Sequence, residues 1–182
     1  MKKALVIIVL LSCAGPAFGG DRILLSIGWS FLRNADPFYR ATYGPSASFP
    51  EVAIAGRFNR NSYVMAGYGT VTRHALVPDL ETEATSIQNY LWAGLGYLPT
   101  LYGPFKAKIE AGLADLMYSE EGLGLTAAGS KIGYQVQAGL LVMVKSVFAG
   151  IDIGYFAASG KVGDLDIKLG GTRIALSAGF RM

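Results

Sequence analysis

One histidine stands in the chain, His74, and most questions about side-chain chemistry begin there. It follows Arg73 and precedes a polar stretch carrying Asp79, Glu81 and Glu83. At neutral pH an imidazole is the side chain whose ordinary titration suits a general base. A hydrolytic site would therefore need His74 as its base and a serine as its nucleophile. Ser62 lies far down the same predicted strand, which leaves Ser86 and Ser119 as partners the fold would have to bring close. The same histidine and carboxylates are the set from which a metal site would be built, but no paired-histidine spacing accompanies them. The plainer reading is a solvated polar loop. No catalytic, metal-binding or cofactor-binding residue is assigned, and no cofactor is expected.

The other chemistry-bearing types are sparse. Cys13 is the sole cysteine. Gly67-Tyr68-Gly69, Gly94-Leu95-Gly96 and Gly122-Leu123-Gly124 are not phosphate loops, since none ends in Gly-Lys-Ser/Thr or opens a helix. Inside strands, such glycines permit bending and leave room for large neighbours.

The N-terminus reads as a processing segment. Met1-Lys2-Lys3 is basic, Ala4 to Leu11 is apolar, and Ala17-Phe18-Gly19 places small residues at a cleavage position. That is the layout of a secretory signal peptide over residues 1–19, and the apolar run is too short to span a bilayer as a helix. An alternative is lipidation: Leu10-Leu11-Ser12-Cys13 resembles a bacterial lipobox. If cleavage follows Gly19, Cys13 is lost and disulfides and thiolate sites are excluded from the mature chain. Residues 20–182 then form one domain, of a size that fits a single fold.

Of the 182 residues, 52% are apolar, only 16% are charged and 24 are glycine. Ordinary soluble domains carry nearer a quarter charged residues. Removing Lys2 and Lys3 leaves fourteen basic against thirteen acidic residues, a charge of +1. So balanced a chain has no polyanion footprint, and no nucleic-acid partner is expected.

After residue 20 the apolar residues recur with period two, the spacing of strands and not of helices. Arg22 to Phe31 places Ile23, Leu25, Ile27, Trp29 and Phe31 on one face. Phe105, Ala107, Ile109, Ala111 and Leu113 oppose Lys106, Lys108, Glu110, Gly112 and Ala114. Ile151, Ile153 and Tyr155 oppose Asp152, Gly154 and Phe156; Ile174, Leu176 and Ala178 oppose Arg173 and Ser177. Eight strands are predicted at about 22–32, 49–58, 62–72, 86–97, 105–118, 132–144, 147–158 and 167–181. Short connectors alternate with long ones at 33–48, 73–85, 119–131 and 159–166. In the first long one, Asp36, Pro37 and Gly44 mark the cap, first turn and stop of a short helix carrying Phe38, Tyr39 and Tyr43.

An even strand count with short turns at one end and long loops at the other describes an all-β, eight-stranded, up-and-down antiparallel transmembrane β-barrel. The rival is a soluble sandwich or lipocalin-like barrel, whose apolar face would point inward. Aromatic placement separates the two. Phe58, Tyr63, Tyr97, Phe105 and Phe180 fall near the short turns, and Trp29, Phe31, Tyr118, Tyr134 and Tyr155 near the long loops. Two such belts suit the two interfaces of a membrane. The lumen of that barrel would hold Arg57, Lys106, Lys108 and Arg173 with Glu51, Glu110 and Asp152, and eight strands leave space that side chains fill. The charges are expected to pair and plug it.

Ala66-Gly67-Tyr68-Gly69, Ala93-Gly94-Leu95-Gly96-Tyr97, Ala111-Gly112-Leu113-Ala114, Ala138-Gly139-Leu140 and Leu176 to Arg181 carry a family likeness. Together they resemble the strands of eight-stranded opacity-type outer-membrane β-barrel proteins, over the whole mature chain. The resemblance implies an outer-membrane location, contact with outer-membrane lipid and lipopolysaccharide, and delivery through the barrel-assembly machinery by the C-terminal strand. Family members commonly end on an aromatic residue; here Phe180 is followed by Arg181 and Met182. The function it implies is non-enzymatic: envelope integrity, or adhesion-type contact with a surface partner through the outer loops. The alternatives are a small gated channel, whose lumen pairs would exchange partners, and a lipid-modifying enzyme using His74.

Overall fold

The computed structural model describes residues 23–77, 82–122, 125–162 and 165–182. The predicted signal peptide, Cys13, Asp79 and Glu81 lie outside them. Eight long strands form the wall: β1 (Ile23–Asn34), β2 (Ser46–Arg57), β3 (Ser62–Val77), β4 (Thr82–Tyr97), β6 (Phe105–Gly122), β7 (Leu125–Val144), β8 (Val147–Val162) and β9 (Leu165–Arg181). A three-residue strand, β5 (Thr100–Tyr102), sits in the β4–β6 turn, and one helix, α1 (Pro37–Tyr43), follows β1. Each wall strand pairs antiparallel with its neighbours in sequence, β4 pairs with β6 past β5, and β1 closes on β9. Closure is completed at the chain end, where Ile23 and Met182 exchange backbone hydrogen bonds of 2.8 Å. No wall strand is left with an open edge, which is the condition lipid imposes on a spanning sheet.

The predicted strand positions hold, but the strands reach further on the long-loop side. Residues 73–77, 82–85, 119–122 and 125–131 are strand, not loop. Beyond the apolar belt both faces of a hairpin are wet. The period-two signal fades there although the backbone ladder continues to pair.

The alternation also holds. Ile27 is 70% exposed, Leu113 67% and Ile132 75%, while Ser30, Ala114 and Ala175 on the opposite face are buried. A monomer in water does not keep an apolar surface of that extent. The exterior is a lipid-facing surface and the lumen is the core. Phe58, Tyr97, Phe105 and Phe180 at the short-turn end, and Trp29, Phe31, Tyr134 and Tyr155 at the other, all face outward. Two aromatics do not follow the expected belts. Tyr63 is buried in the lumen, and Tyr118 shares the inward parity of Leu116. Both stand opposite a glycine, Gly96 and Gly129, on the neighbouring strand, and that gap admits the ring.

Leu176 is half exposed on the outward face of β9. Replacing it with Arg is expected to cost about 2–4 kcal/mol in denaturant unfolding from lipid bilayers, the depth-dependent price of a lipid-facing cation. The same change at the inward neighbour Ser177 should cost less, because that position faces the lumen cavity.

Candidate functional site

The lumen holds a continuous polar network at mid-depth. Arg173 Nη1 donates to Glu51 Oε2 at 2.5 Å, and Glu51 also accepts from Ser30 Oγ at 2.5 Å. The other amino group of Arg173 donates to the Gln137 side-chain carbonyl, and the Gln137 amide donates to Glu110. Glu110 accepts from Tyr63 Oη at 2.5 Å and lies 3.8 Å from Lys108 Nζ. Lys108 Nζ in turn sits 2.6 Å from Asp152 Oδ2. These residues come from β1, β2, β3, β6, β7, β8 and β9. The eighth wall strand, β4, supplies Trp92, whose ring lies 5.4 Å from the Arg173 guanidinium.

Three of these bonds share one construction. Tyr63 reaches Glu110 across Gly96, Lys108 reaches Asp152 across Gly139, and Gln137 meets Arg173 across Gly154. In each case the two side chains sit two strands apart, about 10 Å at ordinary strand spacing. The strand between contributes no side chain at that register. A Cβ at Gly96 would run into the Tyr63 ring, one at Gly139 into the Asp152 carboxylate, and one at Gly154 would come 2.7 Å from Gln137 Cβ. The glycines are the openings through which the network is wired.

The expected lumen charges are thus placed inward, and five of the seven form ion pairs with one another. Lys106 does not join them: its Nζ donates to Thr100 Oγ1 at 2.7 Å near the short-turn mouth. The charges of Arg57, Arg181 and Arg60 act on it, all of its own sign. At mid-depth the balance is therefore two cations against three carboxylates.

Above the network lies an aromatic layer that period-two reasoning did not single out. Phe49 stacks on Tyr90 at 5.5 Å between centroids; Phe156 contacts Tyr90 and Trp92, each at 5.6 Å, and lies 4.8 Å from the Arg173 guanidinium. The signal was present in Gly67 and Gly69, whose missing side chains make room for Trp92 and Phe49. A cavity of about 50 Å³, with room for a few waters, reaches from the network residues Lys108, Glu110, Asp152 and Arg173 down to Leu98, Leu141 and Phe148. Leu141 and Met143, on the inward face of β7, are buried at this apolar end.

The outer mouth carries α1 as the sequence predicts. Asp36 Oδ1 caps it by accepting from Tyr39 N at 2.9 Å, and Gly44 stops it at φ 87° with its N–H on the Arg40 carbonyl. Asp36 Oδ2 also accepts from Lys168 N at 3.2 Å, fixing the helix to β9. Tyr39 and Tyr43 pack together at 4.7 Å, and Tyr39 Oη donates to the buried Ser86 at 3.0 Å. Burial pushes the Tyr39 hydroxyl above its ordinary value; burial, then the Glu120 carboxylate, pushes that of Tyr43 up to about 12. Both remain neutral donors at physiological pH. Arg73, buried beside them, donates to the carbonyls of Tyr43 at 2.6 Å and Gly44 at 2.9 Å.

His74 is not part of this arrangement. It is exposed on the outward face, and its Nδ1 shares a hydrogen bond of 3.1 Å with Thr85 Oγ1. Ser86 faces the lumen, so the wall separates the two. Ser119 lies on β6, two strands from His74 and roughly 10 Å away laterally. Ser62 is about 40 Å down β3 at strand rise. Glu83 is exposed at the outer end of β4. Among the described residues no group of three or more His, Cys, Asp or Glu gathers as a metal site.

Comparison with protein-family models and with curated protein sequences finds no match. Solved structures do match. The outer membrane protein OprG from Pseudomonas aeruginosa is similar at a TM-score of 0.68 and 12% identity, covering 91% of this chain and 99% of that one. Neisserial surface protein A is similar at 0.66 and 15%, covering 88% and 97%. Ail, the attachment invasion locus protein of Yersinia pestis, solved in complex with the heparin analogue sucrose octasulfate, is similar at 0.61 and 15%, covering 90% and 99%. At such identities the likeness is one of fold: this chain has the fold of outer-membrane β-barrels.

Replacing Arg173 with Met should destabilise the barrel by about 3–5 kcal/mol, because Glu51 would be left buried without its cation. Lys106→Met, outside the network, should cost under about 1 kcal/mol. The temperature at which the folded band is lost on heat-modifiable gel migration orders the two variants.

Proposed function

We propose that the protein is a non-enzymatic outer-membrane barrel that serves as a rigid anchor for its outer loops, with a surface role of the attachment type. The observation that carries this reading is the filled lumen. A network tied to every wall strand lies across mid-depth, an aromatic layer covers it, and α1 lies over the outer mouth. A lumen filled in this way does no transport, so contacts with other molecules fall to the lipid face and the outer loops. The same observation weighs against the gated-channel alternative, since opening would require buried ion pairs to break.

The fold likeness supports the reading. Ail is by name an attachment invasion protein and NspA a surface protein. The position of His74 supports the non-enzymatic part: a triad is recognised by geometry, and the base and the buried Ser86 stand on opposite faces of one wall. Outer-membrane lipid and lipopolysaccharide are the partners that an apolar belt with aromatic rims would meet. The C-terminal strand, closed on β1, is the segment offered to the assembly machinery.

The test is display in the outer membrane of a non-adherent bacterium. Cells carrying the whole barrel should attach to extracellular-matrix surfaces above the empty-vector level. Cells carrying a barrel with the outer hairpins shortened should not. His74→Ala should leave both attachment and lipopolysaccharide acylation unchanged. Equal attachment by the shortened and whole barrels would contradict the loop-anchor reading. Loss of an acyl chain that depends on His74 would show an enzyme instead.

A further inference from the structure

The short-turn mouth gathers positive charge that nothing described so far uses. Arg57 on β2 has the inward parity of buried Ala55, and Lys106 on β6 has that of Lys108 and Glu110. Arg181 on β9 also turns inward, with Nη1 3.7 Å from the sulfur of buried Met143. Arg60 stands exposed in the β2–β3 turn, and its charge acts on Lys106 together with those of Arg57 and Arg181. Lys145, exposed in the β7–β8 turn, precedes Ser146, whose carbonyl accepts from the Arg181 backbone N–H at 2.7 Å. Among the described residues no Asp or Glu side chain lies at this end. The nearest on β6 is Glu110, roughly 13 Å along the strand from Lys106.

These cations are open to water. Arg57, Lys106 and Arg181 are half-buried, and Arg60 and Lys145 are exposed. They stand beyond the apolar floor of Leu24, Leu98, Leu141 and Phe148, inside a wall surrounded by lipid. A concavity lined by one sign of charge with low-dielectric walls focuses its field and draws in the opposite sign. Lipid headgroups around the barrel meet outward-facing side chains, whereas Arg57, Lys106 and Arg181 project across the mouth. Their occupant arrives along the barrel axis. The neighbouring backbone indicates its kind. β4 continues through Leu98 and Pro99 into β5, past Ser62, where β3 begins. β5 therefore ends the strand order, with β6 on one side and no strand on the other. Thr100 on this edge holds Lys106 Nζ at 2.7 Å, while Leu101 is 59% exposed and Tyr102 84%. An open edge offers main-chain hydrogen bonds to an extended chain, and flanking side chains select its sequence.

We infer that the short-turn mouth docks an extended acidic segment of a partner protein on that side of the membrane. The segment adds beside β5 and sets its carboxylates against Lys106, Arg60 and the arginines of the mouth. Leu101 and Tyr102 give it apolar contact. Barrels of this kind turn their short connections to the periplasm, so the partner is periplasmic. Charge and edge select it jointly: a headgroup or small anion needs no strand edge, and an uncharged strand needs no cations. The inference concerns the end of the barrel opposite the outer loops. It is independent of attachment, so failure of one leaves the other standing.

The experiment uses the whole barrel in phosphatidylcholine nanodiscs and a short fluorescein-labelled peptide of alternating glutamate and valine, read by anisotropy. Saturable binding that weakens with added sodium chloride is expected. The matching glutamine–valine peptide should bind about tenfold more weakly, the loss of several exposed ion pairs. Arg60→Gln and Lys106→Gln should each weaken binding about threefold, the size of one such pair. Arg60 lies in an exposed turn, so its variant carries the test if Lys106→Gln does not fold. Arg33→Gln, exposed at the outer end of β1, should leave binding unchanged. A glutamate–valine peptide N-methylated on alternate residues keeps the charges but loses strand pairing, and should bind weakly. Adding phosphatidylglycerol to the nanodiscs should leave the peptide bound; its complete displacement would assign the mouth to lipid headgroups and overturn the inference. No saturable binding, equal binding of the glutamine or N-methylated peptide, or undiminished binding in both barrel variants would overturn it too.

Discussion

The Arg173 guanidinium holds the structure together at its centre. It pairs with Glu51 on β2, bonds Gln137 on β7 and lies over Trp92 on β4 and Phe156 on β8. From it hydrogen bonds and ion pairs run on through Glu110 to Tyr63, Lys108 and Asp152. Backbone ladders close the cylinder but leave its interior undetermined. In a membrane barrel the outside is apolar, so the usual drive to bury apolar groups inside is weak, and the lumen must be specified by polar pairing. Here the pairing crosses strands at glycines. A glycine between partners lets side chains two strands apart meet, which ties the wall across its section and not only around its rim.

That constraint explains the layers on either side. The same device admits Trp92 over Gly67 and Phe49 over Gly69, so aromatic rings cover the network toward the outside. Toward the short turns, Leu24, Leu98, Leu141, Met143 and Phe148 make an apolar floor. At the outer end α1 is bound to β3 by Arg73, to β4 by Tyr39 and to β9 by Asp36. In the proposed reading, function then falls to the mouth and the loops.

Much of this was legible in the residues. Period-two alternation placed the seven charges it named, from Glu51 to Arg173, on the inward face, because a strand offers only two faces; it did not single out Arg73, buried at the outer mouth. Asp36, Pro37 and Gly44 marked α1, because caps and stops are local chemistry. What alternation does not carry is the partner across the barrel. Lys106 and Lys108 look alike in sequence, yet one bonds Thr100 at the rim and the other Asp152 in the core. Which meets an acid depends on register, and register becomes visible only when Gly139 is seen between Lys108 and Asp152. Tyr63 and Tyr118 were read as belt residues from their position near strand ends. Their inward parity, opposite Gly96 and Gly129, outweighs that position. The gathering of Arg60 and Arg181 with Arg57 and Lys106 at one mouth was beyond sequence reasoning altogether, since it is a property of the closed wall.

The central claim is that the network closes the lumen as well as the barrel. Planar-bilayer recording of the purified, unmodified protein tests it most directly. A lumen filled by paired charges and rings predicts a quiet membrane, with no stable large-conductance steps across the accessible voltage range. Steady nanosiemens-scale conductance would contradict it, since ions would then be passing where Arg173, Glu51 and Glu110 are placed.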